Sequence, residues 1–283
     1  MKVGLVLEGG GARGAYTAGA LTWLLDNNVH FDYGVGMSIS ALYLFAYLTD
    51  NPSMLKDMSV ETAISKGTVG LPSLLREGSL IGYDKMFEEV RNHQPPLDIE
   101  AMKQLDIVAE TGVYDLASQK CLWLQGKDID EDLYYLKAAG TIPIFGKRVL
   151  VNGKYFLDAG LETMIPIGRA LDQGCDRCLV ITTKTADYVR KPSSAVELTF
   201  MKLGYGKYKK LYELVKKRDQ IYYKEREIID RLQEENRCLH VFPSDSCGIT
   251  RFGGKHENLI RLFEVGYSDM EAQKDKILQL FEE

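Results

Sequence analysis

Nowhere in this 283-residue chain does an apolar run approach the ~20 residues that cross a bilayer; the longest, Ala41 to Leu48, is far shorter. Nothing at the N-terminus reads as a signal peptide, because a strand-like run (Val3 to Leu7) starts at once. Cysteine is scarce and odd in number, five with no framework spacing, which excludes a disulfide scaffold and reads as reduced thiols in a cytoplasmic protein. Cys175 and Cys178 form a lone Cys-x-x-Cys. With no second pair or nearby histidine it makes no zinc set, and two packed thiols are expected rather than a redox or metal site. Histidine is rarer still, four residues, and the His, Cys and carboxylate residues do not cluster at ligand spacing, so no metal or other cofactor is expected. Positive charge is not in excess: the net charge is -5, which does not favour nucleic acid. Internal repeats, low-complexity linkers and a clear domain boundary are all missing, and this length can bury one sizeable core.

What is present is an alternation of strands and helices. Val3 to Leu7 reads as a buried strand, followed by Gly9-Gly10-Gly11-Ala12-Arg13-Gly14 and a helical run from Ala15 to Asp26. Strand, glycine loop and helix converge backbone N–H groups on an anion. The string satisfies Gly-x-Gly-x-x-Gly, so a nucleotide-binding protein is one reading, with Asp32 near the spacing of a ribose ligand. Asp32 precedes most of its strand, however, and three glycines followed by arginine do not suit a pyrophosphate. A second short strand (Val29 to Val35) runs into Gly36-Met37-Ser38-Ile39-Ser40 and an apolar helix from Ala41. A serine between strand and helix sits on a sharp turn with its hydroxyl exposed, the mechanical content of the Gly-x-Ser-x-Gly elbow, here with Ser40 in place of the second glycine.

Residues 53 to 94 alternate helical patches with turns and include an amphipathic helix from Tyr83 to His93. Two alternating runs, Leu105 to Val113 and Cys121 to Leu124, read as strands, and Asp130 to Ala139 as helix. Lys147 to Leu157 is a predicted hairpin with Asn152-Gly153 at its tip, delivering Asp158-Ala159-Gly160 at its exit. Helix from Thr163 to Gln173 and a buried strand from Leu179 to Thr183 complete a mostly parallel sheet covered on both faces. From Ala195 to Arg237 the spacing predicts one long helix, then a strand (Leu239 to Phe242) and a final helix (Glu257 to Phe281). The long helix carries Lys202, Lys207, Lys209, Lys210, Lys216, Lys217 and Arg218 against little but Glu213. That is a solvated face of a packed helix or, more sharply, a peripheral contact with anionic lipid.

An activated serine needs a base, donors for the developing oxyanion and room for the acyl group. Ser38, the glycine loop and Asp158 offer these in one chain, and at that point the sequence resembles the patatin-like phospholipase family. Three ordered motifs carry the likeness: Gly9 to Gly14, Gly36 to Ser40, and Asp158-Ala159-Gly160. Ala138-Ala139-Gly140-Thr141-Ile142-Pro143 and Met164-Ile165-Pro166-Ile167 support it over roughly the first 185 residues. The resemblance implies a three-layer α/β/α fold in a single domain over 1–283, with a core to about 185 and a helical extension from about 195. It implies a lipid ester as substrate and a Ser–Asp dyad with no histidine: Ser38 as nucleophile, Asp158 as proton acceptor, Gly10 and Gly11 as oxyanion hole with Arg13 beside them. Ser40 and Ala159 depart from the family's glycines, each adding one small side chain at a tight place. A catalytically inactive lipid-binding relative, and an α/β-hydrolase triad using His240 or His256, are the other readings that this pattern leaves open.

Overall fold

The computed structural model describes residues 1–62 and 68–282, so part of the stretch 53 to 94 lies outside the described residues. Chain order begins β1 (Val3–Leu7), α1 (Gly14–Asp26), β2 (Tyr33–Gly36), α2 (Ile39–Leu48) and α3 (Pro52–Val60). It continues through α4 (Leu71–Glu77), α5 (Tyr83–Asn92), α6 (Ile99–Lys103), β3 (Val108–Asp115) and β4 (Lys120–Gln125). Next come α7 (Tyr134–Gly140), β5 (Val149–Val151), β6 (Lys154–Asp158), α8 (Ile167–Asp172) and β7 (Arg177–Ile181). The chain closes with α9 (Ala195–Tyr205), α10 (Lys209–Lys216), α11 (Arg218–Glu234), β8 (Cys238–Val241), α12 (His256–Ala272) and α13 (Lys274–Gln279).

The strands form one sheet in the order β5-β6-β3-β2-β1-β7-β8, with β4 paired to β3. β3, β2, β1, β7 and β8 run parallel, while β4, β5 and β6 make an antiparallel flank. β1 lies in the middle and every residue of it is buried, which is why it reads as an unbroken apolar run. Its pleat divides the core: Val3, Leu5 and Leu7 pack with α1, α2 and α12, whereas Val6 packs with α8 and α11. Burying one such side chain contributes about 1.5–3 kcal/mol, so these two faces dominate the stability of the three layers. The hairpin turn is as expected: Asn152 and Gly153 both have positive φ (49° and 76°), as a two-residue type I′ connection requires.

Two expectations from periodicity are corrected. Ala195 to Arg237 is three helices rather than one. The chain turns at Gly206 and again at Lys217, because Leu211 and Val215 pack beside Met37 and Tyr114 while Tyr222, Ile229 and Leu232 pack against the opposite end of the sheet face. An apolar stripe keeps its period across such turns, so spacing alone does not reveal them. The last helix likewise breaks at Gln273.

Candidate active site

The site forms where the carboxyl ends of β1, β2 and β6 meet. β2 ends at Gly36, the Met37 N–H donates to Leu7 O, and α2 starts at Ile39. Ser38 is left between them at φ 58°, ψ −134°, a strained backbone for a residue with a side chain. The turn is so tight that a Cβ on Gly36 would lie 2.5 Å from Ser40 O. Ser38 is 8% exposed, and its Oγ donates to Asp158 Oδ2 at 2.7 Å. Asp158 ends β6, and its other oxygen accepts from Gly160 N–H at 2.7 Å. Burial pushes this carboxyl up to about 6, against the pull of the Ser38 hydroxyl, the Gly160 N–H and the positive charge of Arg218.

Both departures from the family's glycines are accommodated. Ser40 is fully buried, but its hydroxyl donates to Glu8 O at 2.7 Å, so the added group is satisfied rather than crowded. Ala159 faces Gly112 of β3, where a Cβ would come within 3.1 Å of Ala159 Cβ; the opposite strand leaves room for the methyl group.

The glycine loop bends around Ser38. Ala12 N–H donates to Arg251 O and Arg13 N–H to Gly10 O, while the N–H groups of Gly10 and Gly11 make no hydrogen bond among the described residues. Gly11 has φ +57°, and a Cβ there would collide with Arg251 O. Gly10 lies against Thr183, and Gly14 against the Tyr43 ring, so packing within the protein accounts for these glycines. Asp32 is also occupied, accepting from Val3 N–H at 2.7 Å at the start of β1. Arg13 donates through Nε to Ile249 O at 3.2 Å, and its guanidinium stacks over Tyr188.

Two cavities meet at Ser38 and share Gly11, Ile142, Arg251 and Phe252. One is a narrow apolar slot of about 60 Å³ lined by residues such as Tyr43, Ile81, Tyr83, Met86 and Phe87. The other, about 410 Å³, holds Gly9, Gly10, Arg13, Asp158 and Gly160 together with Lys184, Arg190 and Arg218. No histidine is among the described residues that line either cavity. His93 bonds Pro95 O and Asp57, His240 is buried against Thr182, and His256 contacts Glu61 at the surface.

Sequence reasoning missed Lys184, Arg190 and Arg251 and misplaced Arg218. Lys184 follows β7, next to β1, at the carboxyl edge of the parallel strands; that position was the available signal. It is buried in an ion pair with Glu8, and burial pulls it down to about 8. Of the predicted basic face, Lys202, Lys207, Lys209, Lys210, Lys216 and Lys217 are exposed, and Lys210 pairs with Glu162 at 3.3 Å. Arg218 turns inward at the break before α11 and lines the cavity, so it is not part of an outward basic surface.

The patatin-like phospholipase family model matches residues 5–171, which takes in the elbow, the glycine loop and the Asp158 turn. The chain belongs to the patatin-like phospholipase family. Its family acts on lipids as an acyl hydrolase family. A separate domain of unknown function, DUF6363, matches residues 208–282 of this patatin-like chain, the part that supplies Arg218 and Arg251. The uncharacterized protein YjjU of Escherichia coli (strain K12) is 24% identical over 277 residues, covering 94% of this chain and 75% of that protein. Among solved structures, VipD from Legionella pneumophila is similar at 13% identity and a TM-score of 0.47, covering 99% of this chain and 66% of that one. This chain therefore spans just under two thirds of VipD's length. No helix among the described residues is long and apolar enough to cross a membrane.

Proposed function

We propose that the protein hydrolyses carboxylic esters of lipids through a Ser38–Asp158 dyad. The observation that carries this reading is the 2.7 Å hydrogen bond from Ser38 Oγ to Asp158 at the junction of an apolar and a polar cavity. Asp158 takes the Ser38 proton as Oγ attacks the ester carbonyl, then returns it to the departing alcohol. The N–H groups of Gly10 and Gly11 receive the developing oxyanion, with Arg13 adding positive charge nearby. Water then attacks the acyl-serine by the same route in reverse. A fluorophosphonate probe should label the native protein covalently at Ser38, located by peptide mass spectrometry, and p-nitrophenyl butyrate should be turned over. Neither labelling nor turnover is expected of an inactive lipid-binding relative.

The pH profile follows from the burial of Asp158. As a base it must be a carboxylate, so kcat/KM should fall about tenfold per unit of pH below about 6 and level off above it. A profile flat down to about pH 4.5 would rule out a base titrating there. Stability should run the other way. The folded value lies above the 3.8 of an ordinary aspartate, so the neutral acid is the form that folding favours. That contribution is full below about pH 4 and is lost as pH rises through about 6. Asp158→Asn, neutral throughout, should therefore exceed wild type in stability near neutral pH by up to roughly 3 kcal/mol. Urea unfolding at two pH values should show that margin shrinking in acid.

A further inference from the structure

Among the described residues, five cations line the larger cavity, Arg13, Lys184, Arg190, Arg218 and Arg251, and Asp158 is the one carboxylate. Two of the cations are committed: Lys184 to Glu8, and Arg13 to Ile249 O and the Tyr188 ring. The other three lack a close anionic partner among the described residues, although Arg190 stacks over the Tyr222 ring. Arg190 Nε and Arg218 Nε are sealed from solvent with no hydrogen-bond partner among the described residues. Arg218 reaches only a loose ion pair with Glu197, at 3.8 Å, and Arg251 stacks on Phe145 and Phe252 without an ion pair among the described residues. Burial, then repulsion from Arg190 and Arg251, holds Arg218 down to about 10. Buried guanidinium nitrogens without acceptors, such as the Nε of Arg190 and of Arg218, are costly, and a third guanidinium from Arg251 close by adds repulsion unless an anion joins them. A further cavity of about 340 Å³ shares Tyr188, Arg190, Arg218 and Arg251 with the first and leads away from Ser38 past Ser193.

We propose that Arg190, Arg218 and Arg251 form a phosphate subsite, which holds the phosphate of a lipid while its acyl ester lies at Ser38. This rests on the acyl-hydrolase reading above. All three arginines lie outside residues 5–171, so the family match does not supply the subsite. A tetrahedral phosphate offers enough oxygens to accept from three guanidinium forks at once, where a carboxylate offers two. The adjoining cavity has room for whatever the phosphate bears, but the cations repel a quaternary ammonium. The substrate class assigned is therefore a lipid with a terminal phosphate or an anionic phosphodiester, in preference to choline lipids and neutral glycerides.

The test compares three soluble octanoyl esters: 1-acylglycerol 3-phosphate, 1-acylglycerophosphocholine and 1-acylglycerol. Wild type should prefer the first over the last by about tenfold or more in kcat/KM, mostly through KM. Arg218→Gln and Arg190→Gln should each reduce that ratio by about tenfold, and Arg190→Lys should recover part of it. Should Arg218→Gln fail to fold, Arg190, which is half-exposed, carries the comparison. Calorimetric titration should show glycerol 3-phosphate binding wild type, and binding more weakly to Arg190→Gln. Equal kcat/KM for the three esters, with ratios unmoved in both variants, overturns the subsite and leaves the hydrolase reading standing. Binding of inorganic phosphate without any preference among the esters would likewise overturn it, marking a site for free phosphate. No turnover of any ester, p-nitrophenyl butyrate included, would remove the hydrolase reading on which it depends.

Discussion

Ser38→Ala and Asp158→Asn should each bring ester hydrolysis in folded protein to near background, a loss on the order of 10⁴-fold or more. If the proposed dyad holds, the two should not add, because a nucleophile and base joined by a single 2.7 Å hydrogen bond act as one unit. What separates a dyad from a triad is histidine, and four substitutions cover every one in the chain. His30 is exposed, and His93 and His240 are held in place by Asp57, Pro95 O and Thr182. Burial pulls His240 down to about 3, so it stays neutral and its loss removes packing, not a charge. His256 contacts Glu61 at the surface, and none of the four lines the cavities at Ser38. Each His→Gln variant should therefore hold kcat/KM on p-nitrophenyl butyrate within about tenfold of wild type, the ~1.4 kcal/mol that modest misplacement costs. A folded histidine variant as inactive as Ser38→Ala would overturn the dyad.

The pairing of Ser38 with Asp158 was legible because its parts are local. Glycines, an elbow serine and an aspartate after a strand each announce a turn, and the parallel pairing of β1 with β2 brings two of those turns to one edge. Less local was the route of Asp158, which arrives on an antiparallel strand: Val113 of β3 pairs with Asp158 itself. The Asn152-Gly153 turn predicted that hairpin, but not that it would dock on β3. The cations were illegible for a different reason. Arg190 and Arg251 sit in irregular segments with no periodicity, and Arg218 looked like one more member of a basic face. Only the turn at Lys217 reverses its direction, and that turn is dictated by where Val215 and Tyr222 find their cores. Charge patterning read along one continuous helix assigned an inward residue to solvent. Positional chemistry survives from sequence; the direction of a side chain beyond a helix break does not.

Gly19→Ala should lower the melting temperature by roughly 6–12 °C, the largest effect on stability expected of a single methyl group here. In α1 and α12 the two backbones come into direct approach: a Cβ on Gly19 would overlap Phe263 O, and a Cβ on Gly266 would overlap Tyr16 O. Backbone cannot rotate away as a side chain can, so the helices must separate. Separation disturbs fully buried Tyr16 and Trp23 and the 2.6 Å hydrogen bond from Trp23 Nε1 to Glu271. Overpacking of this kind costs about 3 kcal/mol, against a helix-propensity gain of at most ~1 kcal/mol for losing a glycine. Gly204 in α9 supplies the control, since it is exposed and a Cβ there meets nothing within 4 Å. Gly204→Ala should gain about 0.5–1 kcal/mol and melt slightly above wild type. The close approach also reaches the site, because Arg251, whose carbonyl accepts from Ala12 N–H, lies shortly before α12 begins at His256. Moving α12 should thus disturb the arginine cluster before it disturbs Ser38 and Asp158, which hang from β2 and β6. Thermal unfolding followed by circular dichroism decides the first point: Gly19→Ala melting at or above wild type would mean that the helices do not meet through Gly19 and Gly266.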